Sequence, residues 1–200
     1  MAKKIITISR QFGSGGRGIA KEIANRLGYD YYDKEIIDQV AEESGFSKDY
    51  IEELGEHAPG KTTFSYGFET HGVPGVMNGM STLDYLWCSQ RKVICDIADK
   101  GRPCVIVGRN ADYILRDRDD VLNVFIHADE EFRKNRIIEY GETKGNPSKV
   151  MNSHDKKRKS NYKHYTDRDW GHSVNYDLCL DTGRLGIEKC INLILAAVES

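Results

Sequence analysis

Short apolar runs recur along the chain and predict β-strands. They cover residues 5–8, 31–33, 104–107, 121–126 and 176–180. The clearest of them are continuous and rich in β-branched residues, a composition typical of strands that are buried on both faces of a parallel sheet. We therefore expect a central sheet whose strands run mostly parallel.

Apolar residues at helical spacing occupy the intervals between these runs. Ile19, Ile23 and Leu27 recur four residues apart, and Gly28 follows them as a stop signal. Further helices are predicted over residues 36–41 and 83–97, after the acidic residues 129–131, and over residues 187–198. Strands that alternate with helices indicate one α/β domain, residues 1–200, with helices on both faces of the sheet.

Two segments depart from this alternation. Residues 57–80 contain five glycines and two prolines, and we interpret them either as a long loop that covers a site or as a disordered surface insertion. Residues 141–175 are polar, and six lysines and arginines lie within residues 154–168. This basic run is either a solvated helical face or part of a ligand site.

Other side chains in or near the polar segment also have two interpretations each. Tyr162, Tyr165 and Trp170 either stack on a base or pin the segment to the domain. Arg133 and Arg136 either supply cations beside the segment or face water, and for Arg133 we favour a position facing water.

The composition argues against several classes of function. The formal net charge of −2 is unlike that of a protein that coats polymeric nucleic acid. No apolar run approaches the roughly 18 residues of a membrane-spanning helix. The five cysteines form no C-x-x-C pair and the six histidines are scattered, so we expect no metal-binding cluster and a reducing, cytoplasmic environment. A small-molecule substrate is the expected partner.

A glycine-rich turn follows the first strand and opens the first helix. It reads Gly13-Ser14-Gly15-Gly16-Arg17-Gly18. Glycines allow successive backbone N–H groups to point inward, and a helix N-terminus adds positive potential, so this layout suits a phosphate group. The alternative is a strand–helix turn that binds no nucleotide.

The turn does not match the P-loop consensus, G-x-x-x-x-G-K-[ST]. The best overlay puts Arg10 at the first glycine, Gly16 at the lysine and Arg17 at the hydroxyl residue. A guanidinium can clamp phosphate oxygens in place of an ammonium group. We expect Arg17 to do so, because the flanking Gly16 and Gly18 leave its backbone free to redirect the side chain, and Arg10 is the competing candidate.

Three special segments follow the first three predicted strands. They are residues 10–18, Asp33 and Gly108-Arg109-Asn110. Because ligands of parallel α/β sheets bind at the carboxyl ends of the strands, we expect these segments to share one site. Arg109 then clamps a phosphate or forms a salt bridge at the next helix. Asp33 holds Mg²⁺ through water, orients an acceptor, or caps the helix that starts near Lys34.

Longer motifs that include these segments resemble the cytidylate kinase-like family. The motifs are residues 8–17 and 31–35 at the start, residues 107–115 in the centre, and Tyr165-Thr166-Asp167, Trp170-Gly171 and residues 175–182 near the end. They follow the family's order and span nearly the whole chain, so together they are specific.

The resemblance implies a P-loop kinase fold with a substrate-binding insert at about residues 57–80 and a lid at about residues 141–175. It also implies transfer of the γ-phosphate of ATP to CMP or dCMP, with Mg²⁺. The family's Gly-Arg-Asp turn, whose arginine holds the substrate phosphate, corresponds to Gly108-Arg109-Asn110, so Asn110 stands where the family has an acidic residue. Arg158 would be the lid cation that closes over the transferred phosphate.

Two functions stay open at this point. Gly13, Ser14 and Gly15 match the family's P-loop, whereas Gly16 stands in place of its catalytic lysine. A nucleoside monophosphate kinase is favoured by Arg109 and the basic lid, since phosphoryl transfer depends mainly on positioning and charge neutralisation. A module that binds nucleotide or phosphate with little turnover is favoured by Gly16.

Overall fold

The computed structural model describes residues 3–54, 80–143 and 145–199. Residues 57–79 of the predicted insert lie outside the described residues. Across the three described ranges, none of the helices combines the length and the apolar character that a membrane span requires.

In the described part of the chain, five parallel strands form the central sheet. They are β1 (Ile5–Arg10), β2 (Asp30–Tyr32), β3 (Cys104–Val107), β4 (Val121–His127) and β5 (Leu178–Asp181). Their order is β2-β3-β1-β4-β5, and every neighbouring pair is parallel. Because β1 lies at the centre, the turn that follows it occupies the middle of the carboxyl edge of the sheet.

Helices connect these strands. The longer ones are α1 (Gly16–Leu27), α2 (Glu35–Ser44), α3 (Lys48–Leu54), α4 (Thr82–Asp99), α6 (Glu130–Glu139), α7 (Pro147–Thr166) and α9 (Ile187–Val198), and two single turns are α5 (Ala111–Ile114) and α8 (Thr182–Leu185). Gly28 ends α1 in the left-handed conformation with φ 65°, as its position after the apolar stripe predicts.

Two clusters of buried side chains cover the two faces of the sheet. Alternate residues of a strand point to opposite faces. Ile5 accordingly packs in a cluster with α2 and α4, whereas Ile6 and Ile8 pack in a cluster with α1 and α9. Helices therefore cover both faces of a parallel sheet, and the expected α/β class is confirmed.

The polar segment contains the longest helix of the described residues. α7 has 20 residues, and most of them are exposed or half-buried, with Met151 and Tyr162 among the few that are buried. The apolar pattern did not predict this helix because polar residues make most of its contacts with the rest of the domain.

Candidate active site

The glycine-rich turn has the backbone geometry of an anion-binding cradle. Gly13 and Gly15 have φ values of 78° and 85°, which an L side chain rarely adopts. The first described hydrogen bond of α1 runs from the Ile19 N–H to the Gly15 carbonyl at 3.0 Å. The N–H groups of Gly16, Arg17 and Gly18 therefore project from the N-terminus of α1, where an anion is stabilised.

Ser14 stabilises this turn through hydrogen bonds of its hydroxyl and its carbonyl. Its side chain is buried, and its hydroxyl donates to the Gln11 carbonyl at 2.8 Å. The Ser14 carbonyl in turn accepts from the Thr182 hydroxyl at 2.8 Å. The hydroxyl of Ser14 is therefore committed to the turn itself, and α8 supports the turn through Thr182.

The second side of the site is a turn of three left-handed residues after β3. Gly108, Arg109 and Asn110 have φ values of 70°, 57° and 54°. The two non-glycine residues are strained, and neighbouring side chains hold them in place. The Gln90 amide donates to the Arg109 carbonyl at 3.2 Å, and the Asn110 amide donates to Asn161 of α7 at 2.8 Å. These two hydrogen bonds hold the turn in this conformation.

Asp33 lies beside the glycine-rich turn at the end of β2. Its carboxylate pairs with the Arg17 guanidinium, with 2.6 Å between Nε and Oδ2. Lys34 is the N-cap of α2, so the interpretation of Asp33 as the cap is wrong. The Arg17 side chain is 59% exposed, and the ion pair holds it at the rim of the turn.

α7 crosses the start of the glycine-rich turn and is anchored there by Asp155. One carboxylate oxygen accepts from the Phe12 N–H at 2.8 Å, and the other accepts from Arg133 Nη1 at 2.6 Å. Arg133 is 8% exposed, so the expectation that it faces water is wrong. Arg158, one turn further along α7, donates to the Arg10 carbonyl at 3.2 Å.

The aromatic side chains of this segment pin it to the domain. Tyr162 is 1% exposed, and its hydroxyl donates to Asp112 at 2.7 Å. Tyr165 stacks on Trp87 of α4, with 4.4 Å between ring centroids. Trp170 meets Phe125 of β4 edge-on at 5.2 Å. These contacts match the pinning interpretation rather than base stacking.

A cleft of about 910 Å³ joins the segments that follow β1, β2 and β3. Its lining includes Gly13, Gly15, Gly16, Gly18, Asp33, Arg109 and Arg158. The cationic lining residues are Arg10, Arg17, Lys21, Lys34, Arg109, Arg136 and Arg158, and the acidic ones are Asp33, Glu35, Glu52 and Glu142. The expected convergence is confirmed, and the excess of cations favours an anionic ligand.

A smaller pocket adjoins this cleft. Asn110 and Asn161 line it together with Arg10, Arg109 and Arg158. Sequence reasoning did not single out Asn161 because its role arises from a partner 51 positions away.

No group of three or more His, Cys, Asp or Glu side chains that could hold a metal ion occurs within the described ranges.

Asp112 is a buried acid beneath the site that sequence reasoning missed. It is 4% exposed and accepts from Tyr162 and, at 3.4 Å, from the Ser9 hydroxyl. Burial raises the pKa of the Asp112 carboxyl to about 6, and the hydrogen bonds from Tyr162 and Ser9 lower the pKa by a smaller amount.

Asp112 should make folding stability depend on pH. An aspartate in an unfolded chain has a pKa of about 3.9. Between this value and about 6 the folded protein binds the proton more tightly, so its stability falls as the pH rises through this window and the cost persists above it. Asp112→Asn does not titrate and removes this cost, which reaches about 3 kcal/mol for a shift of about two pH units.

Urea unfolding of the wild type and of Asp112→Asn at several pH values between about 4.5 and 7 measures this effect. We expect the free energy of unfolding of the variant, minus that of the wild type, to increase over the range. The amide also changes two hydrogen bonds, which offsets the difference between the two proteins by a constant amount, because the slope with pH depends only on the number of protons bound. A difference that stays constant from pH 4.5 to pH 7 would contradict the shifted pKa.

Comparison with known families agrees with this geometry. A model of the cytidylate kinase-like family matches residues 5–184. The chain belongs to the cytidylate kinase-like family. It is also 26% identical over 199 residues to a cytidylate kinase from Archaeoglobus fulgidus, with 97% of this chain and 94% of that protein covered.

Solved structures share this fold. A protein from Eubacterium ventriosum superposes with a TM-score of 0.74 at 25% identity, with 99% of both chains covered. Shikimate kinases from Bacteroides thetaiotaomicron and Acinetobacter baumannii superpose with TM-scores of 0.57 and 0.54 at 10% and 12% identity. These two matches cover 98% of this chain, and 98% and 93% of the respective kinases. They establish the shared fold.

Proposed function

We propose that this protein transfers the γ-phosphate of ATP to CMP, dCMP or a related small acceptor. The observation that supports this most directly is the cleft between the glycine-rich turn and the Arg109 turn, in which a donor phosphate and an acceptor phosphate can meet. Membership of the family and the similarity to a cytidylate kinase support the acceptor class.

On the donor side, the turn of residues 13–18 would bind the ATP phosphates. The N–H groups at the start of α1 supply hydrogen bonds and the partial positive charge of a helix terminus. The role of Arg17 as the cation that replaces the P-loop lysine stays a prediction, and its pairing with Asp33 sets that cation at the rim.

On the acceptor side, Arg109 would clamp the phosphate of the monophosphate, with Asn110 beside it. A guanidinium binds two phosphate oxygens at once, which also orients the acceptor. Mg²⁺ is bound in such sites through one or two carboxylates and the substrate phosphates. Asp33 fits that chemistry because its carboxylate lines the same cleft as the glycine-rich turn. The ion would neutralise charge on the phosphates.

Residues 141–175, which contain α7, would act as the lid. Arg158 lies on the face of α7 that contacts the strand end, where its guanidinium touches the Arg10 carbonyl. In this proposal Arg158 stabilises charge on the transferred phosphate while the segment excludes water. We propose a cytoplasmic location, because the five cysteines are free thiols, as in a reducing compartment.

A nucleotide-binding module with little turnover is the second candidate. It is favoured by Gly16, which offers no cation at the lysine position of the P-loop. Both candidates bind ATP, but only the kinase releases ADP at a rate that depends on the acceptor.

A coupled assay of ADP release against a panel of nucleoside monophosphates separates the two candidates. We expect ADP release to increase at least tenfold over the rate with ATP and Mg²⁺ alone when CMP or dCMP is added. Saturating ATP should also raise the melting temperature, because a ligand that binds the folded state stabilises it. Stabilisation by ATP without acceptor-dependent release would favour the binding module, and the absence of both would contradict the proposal.

A further inference from the structure

Arg10 and Gly16 contact each other where β1 ends and α1 begins. A Cβ placed on Gly16 would lie 2.6 Å from the Cβ of Arg10 and 3.3 Å from the Cβ of Ile126, and the first distance is shorter than real Cβ contacts allow. Gly16 is not among the residues with positive φ. Space, and not backbone conformation, therefore requires a glycine at position 16.

The conflict is reciprocal. The closest approach is between two Cβ atoms, so any side chain at position 16 needs a glycine at position 10, and any side chain at position 10 needs a glycine at position 16. The P-loop consensus has the first arrangement, with a glycine at the position of Arg10 and a lysine at the position of Gly16. This chain has the second arrangement.

The side chain of Arg10 extends from Gly16 to the acceptor turn. A Cβ on Gly108 would collide with the Nη1 of Arg10, so Gly108 also makes room for this guanidinium. Arg10 is 8% exposed, and it lines both the cleft with the glycine-rich turn and the pocket with Arg109 and Arg158. Its charge therefore lies between the donor and acceptor sides.

Arg17 has a different environment. Its side chain is 59% exposed and pairs with Asp33. Burial strengthens the interaction of a charge with an anion, whereas exposure to water weakens it.

We propose that, relative to the P-loop consensus, Arg10 has taken the role of the lysine and Gly16 has taken the role of the first glycine. Arg10 supplies the phosphate-binding cation from the strand side, and Gly16 supplies the space that this side chain needs. The inference rests on the proposed function for its ligand, a nucleoside triphosphate, and it assigns to Arg10 the role that the sequence predicted for Arg17. A planar guanidinium in this position can bind oxygens of two phosphate groups.

Substitutions at positions 10 and 16 can restore the arrangement of the P-loop consensus. Arg10→Gly, Gly16→Lys and the double variant Arg10→Gly/Gly16→Lys are compared with the wild type and with Arg17→Ala. ATP dissociation constants come from calorimetry, and unfolding midpoints in urea come from the same preparations without ATP. The second measurement tests the steric conflict independently of any nucleotide.

We expect Arg10→Gly to weaken ATP binding by about 10- to 100-fold, the usual range for a charge-assisted contact. Arg17→Ala should weaken it less. Gly16→Lys should lower the unfolding midpoint, and adding Arg10→Gly should raise it again, because the two positions are coupled. The double variant should recover most of that loss, so that its ATP affinity lies closer to that of the wild type than to that of Arg10→Gly.

Each contrary result has a distinct meaning. A wild type that binds no ATP contradicts the proposed function and, with it, a phosphate role for Arg10. A wild type that binds ATP and keeps its affinity after Arg10→Gly overturns only the present inference. Equal unfolding midpoints for Gly16→Lys with and without Arg10→Gly overturn the steric exchange.

Discussion

Arg109→Ala should lower kcat/KM for the acceptor by about 30- to 1000-fold, which corresponds to roughly 2–4 kcal/mol of transition-state stabilisation. The proposed contact is a charge-assisted pair of hydrogen bonds to the acceptor phosphate, and alanine removes both. The backbone at residue 109 keeps its left-handed conformation at similar cost, because arginine and alanine both carry a Cβ. Steady-state kinetics with CMP as the varied substrate measure the effect.

Two further variants separate a phosphate clamp from a structural role. Arg109→Lys keeps the charge but loses the planar fork, so it should recover part of the activity. Arg102→Ala removes an exposed arginine just before β3, at the other end of the same strand, where its ion pair with Asp30 is a surface contact of small value. We expect this control to behave like the wild type. Unchanged kcat/KM in Arg109→Ala would assign Arg109 to the turn instead.

The sheet and most long helices were predictable because their sequences repeat a simple physical pattern. A short, continuous apolar run such as residues 104–107 predicts a buried strand, and β3 has these bounds. The stripe of residues 187–198 likewise forms α9. Where burial is apolar and local spacing is regular, the sequence alone carries enough information.

α7 could not be predicted in this way. Its attachment depends on Asp155, Asn161 and other polar groups whose partners lie far away in the sequence. A polar side chain that is anchored looks the same in a sequence as one that faces water, and Arg133 shows this ambiguity directly. The single turns α5 and α8 are too short to show any periodicity.

The candidate site was predictable in position but not in detail. Glycines and arginines that follow strands mark the carboxyl edge of a parallel sheet, so the place of residues 13–18 and of Arg109 followed from topology. The burial of Asp112 and the steric link between Arg10 and Gly16 did not, because each arises from a contact between elements that only the folded chain brings together.

Asp155→Ala should lower the melting temperature by roughly 5–15 °C, which corresponds to a loss of about 2–4 kcal/mol for a domain of this size. The carboxylate joins three elements, since it accepts from Phe12 of the turn and from Arg133 of α6. The side chains of Arg133 and Asp155 are 10% and 17% exposed, so the variant leaves a nearly buried guanidinium without its ion-pair partner. We expect the loss of about 2–4 kcal/mol to be slightly smaller than the loss that follows when one partner of a fully buried ion pair is removed.

Calorimetry or circular dichroism gives the melting temperature, and hydrogen exchange shows which elements lose stability in Asp155→Ala. We expect faster exchange in α7, because the anchor that joins this helix to the glycine-rich turn is gone. Glu139→Ala removes an exposed carboxylate from α6 and should leave both measurements unchanged.

A double variant measures the coupling between Arg133 and Asp155. Arg133→Met removes the charge that Asp155→Ala leaves behind, so Arg133→Met/Asp155→Ala should be more stable than the sum of the two single losses predicts. The coupling arises because each single substitution carries the desolvation cost of the remaining charge, and the double substitution does not. Strictly additive losses would show that water screens the pair, and α7 would then be held at the turn by its other contacts alone.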